Sequence, residues 1–86
     1  MDNAAIAHEL LRQARELAAQ GDNLYRVRAY RRAAAELFGL VTPVSAIVAG
    51  HGAKGLRALP GIGASLAKTI AELAVQPMEP VGARAG

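Results

Sequence analysis

This sequence predicts an all-α fold, a compact domain of four to five helices, on three observations. Apolar residues make up 52% of the chain while aromatic ones make up 3%, so alanine and leucine carry the core. Alanine, leucine, arginine and glutamate are strong helix formers, whereas the β-branched and aromatic residues that favour strands are few and scattered. Apolar side chains recur at three- and four-residue spacing between cap signals and glycine stops, which is helical punctuation. With 86 residues the chain has material for one domain around a single core.

Asp2 or Asn3 can cap a first helix running from Asn3 to Gln20, and Gly21 stands where it should stop. Its inward stripe is Ile6, Leu10, Ala14 and Leu17, with Glu9, Arg12, Gln13 and Glu16 outside. Asp22-Asn23 opens a second helix that runs to Phe38, with Val27, Tyr30, Ala34, Leu37 and Phe38 as core positions and Gly39 as the stop. At about 100° per residue, Arg28 and Arg32 share one flank, Arg26 lies beside Tyr30 on the other, and Arg31 borders the apolar stripe. Thr42-Pro43 reads as a cap followed by proline at the first helical position, and Gly50 closes a short helix containing Val44, Ile47 and Val48. A turn is expected over His51–Gly55 and a short helix over Lys54–Leu59. The last helix is then Ala64–Val75, with Leu66, Ile70 and Leu73 inward. The domain therefore covers 1–75, and residues 76–86, with Pro77, Pro80, Gly82 and Gly86, form a flexible C-terminal tail.

The absence of cysteine excludes disulfides and thiolate metal sites. The start, Met1-Asp2-Asn3 with Glu9 close behind, lacks the basic and apolar regions of a secretory signal, and no apolar run reaches membrane-spanning length. An intracellular protein with no membrane partner is expected. The net charge of +3 is strongly polarised. Residues 24–68 hold Arg26, Arg28, Arg31, Arg32, Lys54, Arg57 and Lys68 against Glu36 alone, a charge of +6, and the remainder is −3. A polyanion-binding surface has this footprint, and so does a solvated arginine-rich helix face.

The most informative string is Gly55-Leu56-Arg57-Ala58-Leu59-Pro60-Gly61-Ile62-Gly63-Ala64-Ser65-Leu66-Ala67. Proline sets the entry angle, and the two glycines are expected to take unusual backbone angles and to let a nucleic-acid strand approach with no Cβ in the way. Ile62 is the apolar plug that holds the hairpin onto its own helices. The amides of Gly63 to Ser65, at the start of the last helix, are free donors of the kind that hold phosphate. The string resembles the helix-hairpin-helix motif. Upstream, Gly21-Asp22-Asn23-Leu24-Tyr25-Arg26-Val27-Arg28-Ala29-Tyr30-Arg31-Arg32-Ala33-Ala34 is similar to the N-terminal, lyase-type domain of family X DNA polymerases, the DNA polymerase beta type. The two stretches together span residues 3 to 75.

The resemblance implies a hairpin displayed at one end of the domain and DNA as the partner, whether single-stranded, gapped or duplex. Binding would be through phosphates without base readout, possible at gaps or 5′-phosphate ends in DNA repair beside a separate repair enzyme. It also implies a monovalent cation, Na+ or K+, on the backbone carbonyls of Arg57, Leu59 and Ile62, with no cofactor required. The family's 5′-phosphate pocket maps onto Arg26, Tyr30, Arg57 and Ser65. Arginine offers charge and a bidentate fork there, but serine stands at 65 where the family usually has lysine, which weakens the pocket. The expected phosphate contacts are Arg26, Tyr30, Arg57, Gly61, Gly63, Ala64, Ser65 and Lys68. A monomer in the cytoplasm, associated with the nucleoid, follows from this reading.

Catalysis departs further. The family's Schiff-base lysine falls at Thr69, whose hydroxyl cannot form an imine, and Lys68 is turned about 100° away around the helix. A binding module that is not an enzyme is expected, since the chain also has no room for a polymerase palm or an acidic metal triad. The alternatives are an abasic-site or deoxyribose-phosphate lyase using Lys68, and a protein-interaction adaptor in which the basic residues are bystanders. Gly50-His51-Gly52-Ala53-Lys54-Gly55 matches the dinucleotide fingerprint in letters only, because no βαβ unit can accompany it and no Ser or Thr follows a Gly-Lys pair. His8 and His51 have no ligand cluster around them and read as solvent-exposed. Tyr30 serves as a rim tyrosine of the core, as a phosphate contact, or as both.

Overall fold

The computed structural model describes residues 2–75, so the expected tail at 76–86 lies outside the described residues. Five helices follow one another: α1 (Asn3–Ala19), α2 (Leu24–Phe38), α3 (Val44–His51), α4 (Ala53–Leu56) and α5 (Ala64–Ala74). No strand occurs among the described residues, and the fold is all-α. None of the described helices is long and apolar enough to cross a membrane.

Local chemistry accounts for most of the boundaries. Of the two candidates for the α1 cap, Asp2 fills the role, accepting from the Ala5 N–H at 2.8 Å. The helix ends through Gly21 at φ +75, with the Gly21 and Asp22 amides folding back onto the Ala18 and Leu17 carbonyls. This double return is the glycine-dependent helix stop, which only a residue at ease with positive φ closes without strain. Asn23 caps α2 by accepting from the Tyr25 N–H at 2.7 Å.

The start of α3 differs from expectation. Pro43 is the cap residue rather than the first helical one, and Thr42 makes no side-chain cap bond. Asn3, in the first turn of α1, takes over instead. Its Oδ1 accepts from the Val44 N–H at 2.8 Å, while its Nδ2 donates to the Thr42 carbonyl at 2.9 Å and the Leu40 carbonyl at 3.3 Å. One side chain thus satisfies three backbone groups that would otherwise be left open at the entry to α3. Asn3→Ala is expected to lower stability by about 1 kcal/mol, the usual worth of a helix cap, read as a fall in the urea midpoint. No change in midpoint would show that solvent replaces the clasp without cost.

Gly50 lies inside α3, and the break comes at Gly52, at φ +67. A Cβ on Gly55 would come within 2.8 Å of both Ile47 Cγ2 and His51 Cβ, so this glycine is what lets α4 pack against α3. Of the string's three glycines, Gly52 turns the chain at positive φ and Gly55 serves helix packing, while a Cβ on Gly50 would meet nothing within 4 Å. The stretch expected as a helix over 54–59 contracts to Ala53–Leu56. Pro60 has no N–H to give the Leu56 carbonyl and disfavours helical geometry at Leu59, so the chain leaves the helix in turns there.

The core joins all five helices through Ile6, Ala7, Leu10, Ala33, Ala34, Leu37, Val44, Leu56, Leu66, Ala67 and Ile70, with Ile62 from the hairpin. Fully buried Ala7, Ala33 and Ala34 have no bulk to hold α1 and α2 apart, and these two helices form the most extensive pair. Phe38 is not the core residue its position suggests. Adjacent Leu37 takes the inward direction and is fully buried, which leaves Phe38 49% exposed with its ring edge-on to His8 at 5.2 Å. Leu17, Tyr30 and Leu73 are half-buried. On the outer face of α1, Arg12 bridges Glu9 and Glu16, and its guanidinium holds the Glu9 carboxyl below the usual carboxylate range. These pairs are exposed and add little to stability.

Candidate nucleic-acid interface

The hairpin between α4 and α5 is built by Leu59-Pro60-Gly61-Ile62-Gly63. Ile62 points inward at 4% exposure and its amide donates to the Leu59 carbonyl at 3.2 Å, so the plug expected from sequence is in place. The two glycines play different parts. Gly61 sits at φ +78, in the left-handed region, and a Cβ there would lie 2.6 Å from Arg32 Cδ and 2.8 Å from Arg32 Cγ. The Arg32 stem is therefore laid directly over the hairpin. Gly63 corrects the expectation of unusual angles, because its backbone is ordinary extended chain at φ −89 and ψ −175. A Cβ on it would meet nothing within 4 Å, so no contact inside the protein demands glycine there.

Gly63 is also the cap residue of α5, and having no side chain it makes no cap bond. The first return bond of the helix runs from the Ala67 N–H to the Gly63 carbonyl at 2.9 Å. The amides of Gly63, Ala64 and Ser65 therefore have no protein acceptor among the described residues, while all three residues are exposed. Free amides at the positive end of an 11-residue helix are disposed to take a phosphate. Gly63→Ser is expected to separate stability from binding. Serine would cap α5, holding or raising stability by about 0.3 kcal/mol, while engaging a donor otherwise offered outward. DNA affinity should drop as the thermal midpoint holds, and unchanged affinity would show that these amides do not touch DNA.

Two grooves meet along the furrow between the first half of α2 and the hairpin. One, of about 590 Å³, is lined by Arg28, Arg32 and Arg57 with Leu59 and Ile62. The other, of about 410 Å³, is lined by Arg26, Tyr30, Ala64, Ser65 and Leu66. Tyr25, Ala29, Gly61 and Gly63 line both, so the grooves are contiguous. The four residues mapped to one 5′-phosphate pocket are thus divided, with Arg57 in the first groove and Arg26, Tyr30 and Ser65 in the second. Arg26 also faces Asp22 at 3.4 Å, which offsets part of its charge. Arg28, Arg32 and Arg57 form no ion pair among the described residues.

The family described as helix-hairpin-helix domain matches residues 1–76. The chain belongs to that family. No curated protein and no solved structure matches it. As a helix-hairpin-helix domain the chain is a DNA-binding module that does not read sequence, and DNA is its partner. Free amides and guanidinium forks, both present at this hairpin, are groups chemically suited to phosphate.

Other sequence-predicted residues fall less centrally in this helix-hairpin-helix domain. Lys68 is exposed on α5 and lines neither groove. Thr69 is half-buried and its hydroxyl donates back to the Ser65 carbonyl at 3.2 Å. No group of histidines and carboxylates capable of holding a metal occurs among the described residues. Sequence reasoning passed over Tyr25, Arg28 and Arg32 as site residues. Their signal was available, since Tyr25, Arg28, Ala29 and Arg32 follow the i, i+3, i+4, i+7 pattern of a single helix face. That face carries arginine instead of leucine, so a search for apolar stripes does not register it.

Proposed function

We propose that this helix-hairpin-helix domain holds DNA by its sugar-phosphate backbone at gaps and 5′-phosphate ends, as a monomeric binding module serving a separate repair enzyme in the nucleoid. The observation that carries the reading is the uncapped, exposed start of α5 beside a furrow rich in arginine. Donors in that position need no rearrangement to meet a phosphate oxygen, and they contact what every nucleotide shares. A monovalent cation at the hairpin fits the same picture. The Arg57 and Ile62 carbonyls accept no backbone hydrogen bond among the described residues, and the Leu59 carbonyl accepts one. Those three oxygens would hold the ion, which would supply positive charge toward a phosphate.

The module is proposed to bind without lyase chemistry. Thr69 has no amine, its hydroxyl is turned to its own helix, and Lys68 stands outside both grooves. Titration of single-stranded, duplex and gapped DNA, with and without a 5′-phosphate, tests the binding reading. Dissociation constants of roughly 10⁻⁴ to 10⁻⁶ M, rising steeply with salt, are expected of backbone contacts alone. Binding that ignores salt, or none at low salt, would overturn it. Borohydride treatment on abasic DNA should leave no covalent adduct, and an adduct abolished by Lys68→Ala would establish an enzyme instead.

A further inference from the structure

Three of the seven basic residues between 24 and 68 converge on one concave surface, and the resemblance to the polymerase family assigns two of them, Arg28 and Arg32, no part. We infer that the groove formed by Arg28, Arg32 and Arg57 is a second phosphate seat, placed beside the α5 amides so that one DNA strand occupies both. This inference rests on the DNA-binding reading above.

Charge distinguishes the two grooves. No acidic residue lines the three-arginine groove, and none of its arginines is in an ion pair among the described residues. The neighbouring groove has Arg26 alone, and Arg26 faces Asp22 at 3.4 Å. A concave surface with guanidinium groups of one sign concentrates positive potential, and each planar fork can grip two phosphate oxygens. Geometry adds anchorage. The stem of Arg32 rests on Gly61, where a Cβ would be only 2.6 Å from its Cδ, so this glycine at once turns the hairpin and leaves room for the arginine. A long side chain held along its stem loses less freedom when its head binds an anion than one that starts free in solvent.

Continuity supplies the path. Gly61 and Gly63 border both grooves and present no side chain on the hairpin side, while Ala29 and Tyr25, the latter 80% exposed, are common to both on the α2 side. A strand with one phosphate on the α5 amides passes over bare backbone to place another among the arginines. The occupant of the seat is a DNA phosphate, either a terminal 5′-monoester or an internal diester, and the test separates the two.

The full chain is titrated with three DNAs across a range of salt: a gapped duplex with a 5′-phosphate, the same duplex with a 5′-hydroxyl, and a closed circular duplex without ends. Arg28→Ala is expected to weaken binding about tenfold and to reduce the slope of log affinity against log salt by about 1, the signature of one lost phosphate contact. Arg32→Lys keeps the stem and the charge but loses the fork, so it should weaken binding about fivefold with the slope unchanged. Arg31→Ala removes the same charge from an exposed position lining neither groove, and should have a clearly smaller effect than Arg28→Ala. Losses shared by all three DNAs assign an internal diester to the seat. Losses confined to the 5′-phosphorylated duplex assign a terminal monoester. If Arg28→Ala and Arg32→Lys do no more than Arg31→Ala while the parent protein binds DNA, the seat is wrong and the hairpin reading stands. If the parent binds none of the three at low salt, both fall.

Discussion

Ile62→Ala is expected to lower the unfolding free energy by about 2–5 kcal/mol, the range for truncating a well-packed aliphatic core residue. Ile62 is 4% exposed and belongs to the one cluster that unites the five helices, so the cavity would open where the hairpin meets the core. For a domain this small, whose stability is of the order of 5–15 kcal/mol at most, that loss is a large share of the whole. Urea denaturation followed by far-ultraviolet circular dichroism measures it. The substitution should also weaken DNA binding at temperatures where the helices remain folded, because Ile62 is the fully inward side chain of the hairpin and half-buried Leu59 is its other contact with the core. A variant that keeps the parent midpoint would show that the plug is not what seats the hairpin.

Gly61→Ala acts on the same element by another route. Alanine at φ +78 is strained by about 1–2 kcal/mol, and its Cβ would have to displace the Arg32 stem from a position 2.6 Å away. Stability should therefore fall by about that amount, and affinity for duplex DNA by about tenfold, equivalent to 1.4 kcal/mol of binding energy. Comparison with Gly63→Ser makes the result diagnostic: at 61 stability and binding decline together, whereas at 63 binding alone declines. Equal stability of Gly61→Ala and the parent would mean that the turn relaxes to a conformation alanine accepts, and the close approach of Arg32 to the hairpin would lose its significance.

The parts of this fold that were legible in the sequence are those in which the deciding contact is local. Asn23 caps its own helix, Gly21 ends its own helix, and Ile62 lies between two glycines that mark it as the turn's apolar residue. The start of α3 was misread for the opposite reason. Its amide is satisfied by Asn3, 41 residues earlier, and no window around Thr42-Pro43 contains that partner. Phe38 and Leu37 are next to each other, so either could have faced inward, and only the packing of α1 against α2 decides between them. The candidate site divides along the same line. Arg57 and the hairpin could be found from the motif, whereas Arg28 and Arg32 become site residues only because the first half of α2 lies across the furrow from Gly61.

The Asn3 clasp also governs how the chain opens. Amides in the first turn of a helix ordinarily trade their protons with solvent quickly, for want of a helical partner. The Val44 amide belongs to such a turn, yet it is held by a side chain from the first turn of α1, 41 residues earlier, and its residue is completely buried. Its proton should therefore exchange only through global unfolding, on the same slow timescale as the centre of α1. The starts of α1 and α3 would then open together as one cooperative unit rather than fraying separately.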